Sequence, residues 1–91
     1  MKKETVHIRI KFISILQKYS GQRKEVELDL PQDAAQAVDF IIKDFQIPWE
    51  GNLERFVRVF INRELLQDFV KAGKQLSLGD TIAFIPISGG G

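Results

Sequence analysis

From Thr5 to Ile13 apolar and polar residues alternate, with Val6, Ile8, Ile10 and Phe12 on one face and His7, Arg9 and Lys11 on the other. A period of two over this length is the pattern of a strand with one buried side. Val26, Leu28 and Leu30 alternate in the same way with Glu25, Glu27 and Asp29 and predict a second strand, antiparallel to the first. Between them Ser20-Gly21 marks a turn, and the stretch is long enough for one helical turn over Ser14–Lys18. Pro31-Gln32-Asp33 stops the second strand and offers Asp33 as a helix N-cap. Ala37, Val38, Ile41, Ile42 and Phe45 then fall on one stripe of a helix of about three turns. Pro48 closes that helix, and Ile47 to Asn52 reads as a loop with Trp49 lidding one end of the core.

The third strand runs from Phe56 to Asn62, with Val57, Val59 and Ile61 on one face and Arg58 and Phe60 on the other. Asn62-Arg63 predicts a hairpin turn, because Asn tolerates positive φ. A short fourth strand follows over Glu64 to Leu66. Leu76 and Leu78 anchor an irregular connection, Gly79-Asp80 turns the chain, and Thr81 to Ile87 forms the last strand, with Ile82 and Phe84 inward and Ala83 and Ile85 outward. The order β-β-α-β-β-β, with a right-handed helical crossover, predicts an α+β fold: a mixed sheet of about five strands with one main helix packed on one face. That is a β-grasp, or ubiquitin-like, architecture. Residues 1–87 form the domain and residues 88–91 a flexible glycine tail.

Composition changes the picture chiefly by exclusion. The 91 residues carry 44% hydrophobic and 27% charged side chains, with thirteen Lys and Arg against twelve Asp and Glu. That supports one folded domain and argues against disorder or a dedicated nucleic-acid binder. No apolar run approaches the roughly 20 residues that span a bilayer, so no membrane association is expected. The first residues lack the apolar stretch of a signal peptide, so a cytoplasmic location is expected. Without cysteine there are no thiol nucleophiles, disulfides or zinc–thiolate sites, and His7 is the only histidine, so no metal site is expected. Gly73-Lys74 is not a phosphate loop, since Gln75 stands where Ser or Thr should follow and Asp68 occupies the first glycine's place. His7 is expected to be a solvated surface residue. Arg9, Lys11 and Arg58 would form a basic stripe across neighbouring strands.

The informative segment is the end, Ile85-Pro86-Ile87-Ser88-Gly89-Gly90-Gly91. A backbone without Cβ atoms can enter a slot too narrow for other residues and present a terminal carboxylate to a partner. Extended, Ser88 to Gly91 would reach about 13 Å. On the sheet's outer face, Ile13, Phe60, Leu65 and Ile85 interrupt the polar pattern and make a candidate apolar docking patch.

Leu78-Gly79-Asp80-Thr81-Ile82-Ala83-Phe84-Ile85-Pro86 through Gly90-Gly91 resembles the end of the small subunit of molybdopterin synthase, the MoaD group of the MoaD/ThiS sulfur carriers. Ile10-Lys11-Phe12, Gly21 and Val59-Phe60-Ile61-Asn62 extend the likeness over nearly the whole chain, though only the Gly-Asp strand and the diglycine are distinctive. Ile87 departs from the family's second proline, and there is a third glycine. In the ungapped register the diglycine is Gly90-Gly91, with Gly89 at a small-residue position. The alternative aligns Ser88-Gly89-Gly90 and leaves Gly91 as an overhang.

The resemblance implies that Gly91, presented by Gly90, is the reactive end. An E1-like, MoeB-type enzyme would adenylate it with ATP and convert it to a thiocarboxylate. A MoaE-type large subunit would then receive the tail, with Gly89 in the slot, and pass the sulfur to a pyranopterin precursor. The chain itself would bind no cofactor and supply no catalytic side chain. The resemblance also places partner contacts near Ile13, Leu65 and Ile85. A carrier for thiamin, cysteine or tRNA thiolation, a ubiquitin-type protein modifier and a module with an inert tail stay open beside it. The Phe84-Ile85-Pro86 approach to the glycines favours the molybdenum or tungsten branch.

Overall fold

The computed structural model describes residues 5–87. Five strands form one sheet: β1 (Thr5–Phe12), β2 (Glu25–Pro31), β3 (Val57–Ile61), β4 (Glu64–Leu65) and β5 (Thr81–Pro86), in the spatial order β2-β1-β5-β3-β4. β1 pairs antiparallel with β2 and parallel with β5, whereas β3 is antiparallel to both β5 and β4. The first and last strands therefore sit side by side at the centre of a mixed sheet. Helix α1 (Ala34–Asp44) links β2 to β3. Asp33 caps it as expected, its carboxylate accepting the Gln36 N–H at 3.0 Å.

The alternation read from the sequence sets the two faces. Ile8, Ile10 and Phe12 of β1, Val57, Val59 and Ile61 of β3, and Ile82 and Phe84 of β5 are buried, packed with Ala34, Ala37, Val38 and Ile41 of α1. An aromatic chain runs through one end of this core: Phe12 stacks on Phe84 at 5.5 Å and lies 5.4 Å from Phe45. Trp49 meets Phe84 edge-on at 6.0 Å, which makes it the lid expected of it.

The connections depart from the sequence reading. A 3-10 helix covers Ser14–Ser20 instead of a single turn, burying Leu16 and ending at Gly21 with φ 71°. The Trp49 loop is a π-helical turn (Trp49–Leu53) followed by the single turn α2 (Glu54–Phe56), so β3 begins one residue late. β4 is only two residues long, because the chain turns at once into α3 (Leu66–Lys71). The pattern Leu66, Phe69, Val70 is helical in period, and Phe69 is buried. Leu76 anchors the following loop, but Leu78 does not: it is 77% exposed.

The start of β5 is locked by polar contacts. Gly79 takes φ 87° and donates its N–H to the His7 carbonyl, and the Asp80 carbonyl accepts from Arg9 N–H. Asn62, at φ 58°, makes the predicted β3–β4 turn. Its side-chain oxygen accepts the Thr81 N–H at 3.1 Å, and its Nδ2 donates to Asp80. The Asp80 carboxylate also accepts the Ser77 N–H at 2.8 Å. These bonds fix where the last strand enters the sheet, and hence its register to the end.

Candidate functional site

The far end of β5 is held on both sides up to the last described residue. On the β1 side the Ile13 N–H donates to the Phe84 carbonyl at 3.1 Å; on the β3 side the Ile87 N–H donates to the Phe56 carbonyl at 2.7 Å. Successive N–H groups of a strand point to opposite sides, so position 86 would aim its donor toward β1. There β1 has ended, Ser14 has turned away at φ 59°, and the Ile13 carbonyl already accepts from Leu16. No acceptor waits for residue 86, and Pro86 has no N–H to waste. The strand thus delivers the chain at Ile87 from a fixed root. Gly89, Gly90 and Gly91, the tail residues singled out from the sequence, lie outside the described residues.

Around that root lies a shallow apolar hollow lined by Ile13, Ser14, Ile15, Ile85, Pro86 and Ile87. Ile13 is 38% and Ile15 68% exposed. The left-handed Ser14 turn between them gives each isoleucine a place on the surface, with Leu16 directed into the core. Ile15 was missed in the sequence: it sits in a segment with no strand alternation, and only the 3-10 helix shows which apolar residue faces out.

All four residues of the predicted patch share the face of the sheet opposite α1. Pairing places Ile85 beside Arg58, Phe60 between Ala83 and Leu65, and Lys11 beside Ala83. Ile13 follows Phe12, which pairs with Phe84, so it stands next to Ile85. Phe60, Leu65 and Ile85 are half-buried, and Ala83, expected on the outer side, is covered to 8% exposure by its larger neighbours. The result is one apolar strip across β1, β5, β3 and β4, continuous with the hollow at the tail root.

Charge divides the rest of this face. The acids of β2 are taken up by β1: Glu25 closes on Arg9 at 3.0 Å, and His7 contacts Glu27 at 2.6 Å and Asp29 at 3.0 Å. His7 is therefore exposed as expected but not merely solvated. The Glu27 hydrogen bond, then that to Asp29, raises its pKa above 6.5, and His7 in turn lowers that of Glu27. The expected basic stripe is broken, since Arg9 is neutralised while Lys11 and Arg58 have no ion-pair partner among the described residues. No group of three or more potential metal ligands occurs among the described residues.

The sequence profile of the ThiS family matches residues 10–91. The chain belongs to the ThiS family. It thus belongs to the ubiquitin-like sulfur-carrier family of the ThiS/MoaD type, and the β-grasp fold follows. No curated protein matches the chain by sequence.

Among solved structures, this ThiS-family chain is similar to small archaeal modifier protein 1 from Methanosarcina acetivorans, at TM-score 0.73 and 15% identity, covering 97% of this chain and 99% of that one. It is also similar to a chain of the BexX/CysO complex from Amycolatopsis orientalis, at TM-score 0.64 and 23% identity, covering 92% and 99%. A third is a putative molybdopterin converting factor, subunit 1, from Pyrococcus furiosus, at TM-score 0.66 and 20% identity, covering 91% and 99%. At such identities the likeness shows the shared fold. No helix among the described residues is long and apolar enough to cross a membrane.

Proposed function

We propose that this sulfur carrier serves molybdenum (or tungsten) cofactor biosynthesis, with the carboxylate of Gly91 as its reactive group. The observation that carries the reading is the clamp on β5, in which Ile13 and Ile87 donate to Phe84 and Phe56 directly before the glycines. A rigid root turns a short stalk into a directed probe, and tethering raises the effective concentration of whatever its end carries.

A carboxylate resists nucleophilic attack because of its charge and its poor leaving group. An E1-like, MoeB-type enzyme would join the Gly91 carboxylate oxygen to the α-phosphorus of ATP, releasing pyrophosphate. Hydrosulfide released by the sulfur donor would then attack the carbonyl carbon and expel AMP, leaving a thiocarboxylate and a proton. In a MoaE-type large subunit that sulfur would attack a carbon of the pyranopterin precursor and displace an oxygen substituent. Hydrolysis of the acyl–sulfur bond would return the carboxylate and leave one sulfur behind, so two loaded carriers supply one dithiolene. The chain supplies the reacting group, the stalk and the docking face. It needs no cofactor of its own, ATP belonging to the activating enzyme.

Intact mass after incubation with ATP, an adenylating enzyme and a sulfur donor tests this. Exchange of one oxygen for sulfur in the C-terminal peptide is expected, followed by dithiolene formation when the large subunit and precursor are added. Deleting Gly91 should abolish sulfur acceptance and leave the melting temperature unchanged; sulfur acceptance by the truncated chain would overturn the choice of Gly91. A carrier that is sulfurated but yields no dithiolene belongs to another sulfur pathway. A glycine remnant on lysines of other proteins would instead assign the protein-modifier role, a reading favoured by the likeness to the archaeal modifier protein.

A further inference from the structure

We infer that the outer face is built for a partner surface that carries carboxylates at two set places, opposite Lys11 and opposite Arg58, with an apolar ridge between them. The inference rests on the carrier reading above and names the chemistry of the adenylating enzyme that this chain fits. Lys11 flanks the apolar strip on β1 and Arg58 on β3, with β5 between. Two strand spacings separate them laterally by about 10 Å. Both are exposed and both lack an ion-pair partner among the described residues. Glu25 stands directly across from Lys11 yet closes on Arg9, and Glu54, which shares a groove with Arg58, forms no ion pair with it.

The same pattern disfavours face-to-face pairing of this surface with that of a second copy. The acids on this face of the sheet are those of β2, and each already meets Arg9 or His7. A second copy would bring uncompensated cations toward cations. A nucleic acid would meet only two phosphate contacts across an apolar strip that offers phosphate nothing. A protein whose own apolar surface is flanked by Asp or Glu satisfies all of it, since charge complementarity speeds encounter and fixes register while the apolar contact holds the complex.

The test measures association of the full-length carrier with the adenylating enzyme from the same organism by stopped flow, at about 50 mM and about 500 mM salt. Lys11→Glu and Arg58→Glu should each slow association by about 5–20-fold at low salt, and the double variant by about 100-fold, with the salt dependence flattened. Lys43→Glu, on α1 behind the sheet, carries the same charge change and should slow it less than about 2-fold. Circular dichroism confirms that each variant is folded. If wild type binds and the outer-face variants associate like Lys43→Glu, this inference is overturned and the carrier reading stands. If wild type neither binds nor accepts sulfur, the carrier reading falls and takes this inference with it.

Discussion

Ile85 and Phe84 are neighbours in one strand, and the structure gives them opposite duties. Phe84 is buried between Phe12 and Trp49, whereas Ile85 stands half-exposed on the outer face beside Arg58. Truncating a buried phenylalanine costs about 3–5 kcal/mol, from lost transfer energy and the cavity left behind. For a chain of this size about 1 kcal/mol lowers the melting temperature by roughly 5 °C, so Phe84→Ala should lose about 15–25 °C. Ile85→Ala removes atoms that are already partly in water and leaves no enclosed cavity. Its cost should be about 1 kcal/mol, or roughly 5 °C. Binding should show the reverse order. A central apolar contact is worth about 1–2 kcal/mol, so Ile85→Ala should weaken the complex with the adenylating enzyme by about 5–30-fold. Calorimetric titration and thermal melts on the same samples give both numbers. An Ile85→Ala protein that melts more than about 10 °C low yet binds as wild type would place Ile85 in the core and refute the two-sided reading of β5.

Three further outcomes follow from single contacts. Asn62→Ala forfeits the side-chain bonds to Thr81 and Asp80 and puts a Cβ-bearing residue without a local hydrogen bond at positive φ, for about 2 kcal/mol or roughly 10 °C. Asn62→Gly, which relieves φ alone, should melt between it and wild type. Asp33→Ala removes the α1 cap and should cost about 1 kcal/mol by denaturant melt. The His7 pKa is raised and that of Glu27 lowered, so their pairing stabilises the fold between the ordinary values of 4.5 and 6.5. That stability is lost as pH climbs through the raised His7 value, and at the acid end as it falls through the depressed Glu27 value. His7→Gln should therefore flatten the decline in melting temperature above pH 6.5, and proton NMR should place the His7 pKa above 6.5 in wild type and nearer to it in Glu27→Gln.

What the sequence could show divides along the range of the forces involved. Strand faces follow from a period of two, and every inward residue named for β1, β3 and β5 except the half-buried Val6 is buried. The α1 stripe and its cap are equally local. Leu66–Lys71 escaped because a six-residue helix is too short for its period to stand out, and its formation depends on Phe69 finding the core. Ile13, Phe60, Leu65 and Ile85 were legible as breaks in alternation, since an apolar residue on a wet face needs no partner to be noticed. Ile15 broke no pattern and became visible only through the Ser14 turn. Charge was the least legible of all. Arg9, Lys11 and Arg58 look alike along the chain. The register of β1 with β2 sets Glu25 directly across from Lys11, yet with Glu27 held by His7 it is the diagonal Arg9 that closes on Glu25, and Lys11 stays uncompensated. One residue of slip in that pairing would exchange which face each side chain occupies. The hydrogen bonds of Gly79 and Asp80 with β1, and of Asn62 with Thr81, set the register at the centre of the sheet, and through it the two cations that frame the docking strip. The Gly-Asp turn, at the opposite end of β5 from Ile87, therefore helps to set where Lys11 and Arg58 stand on either side of the apolar strip.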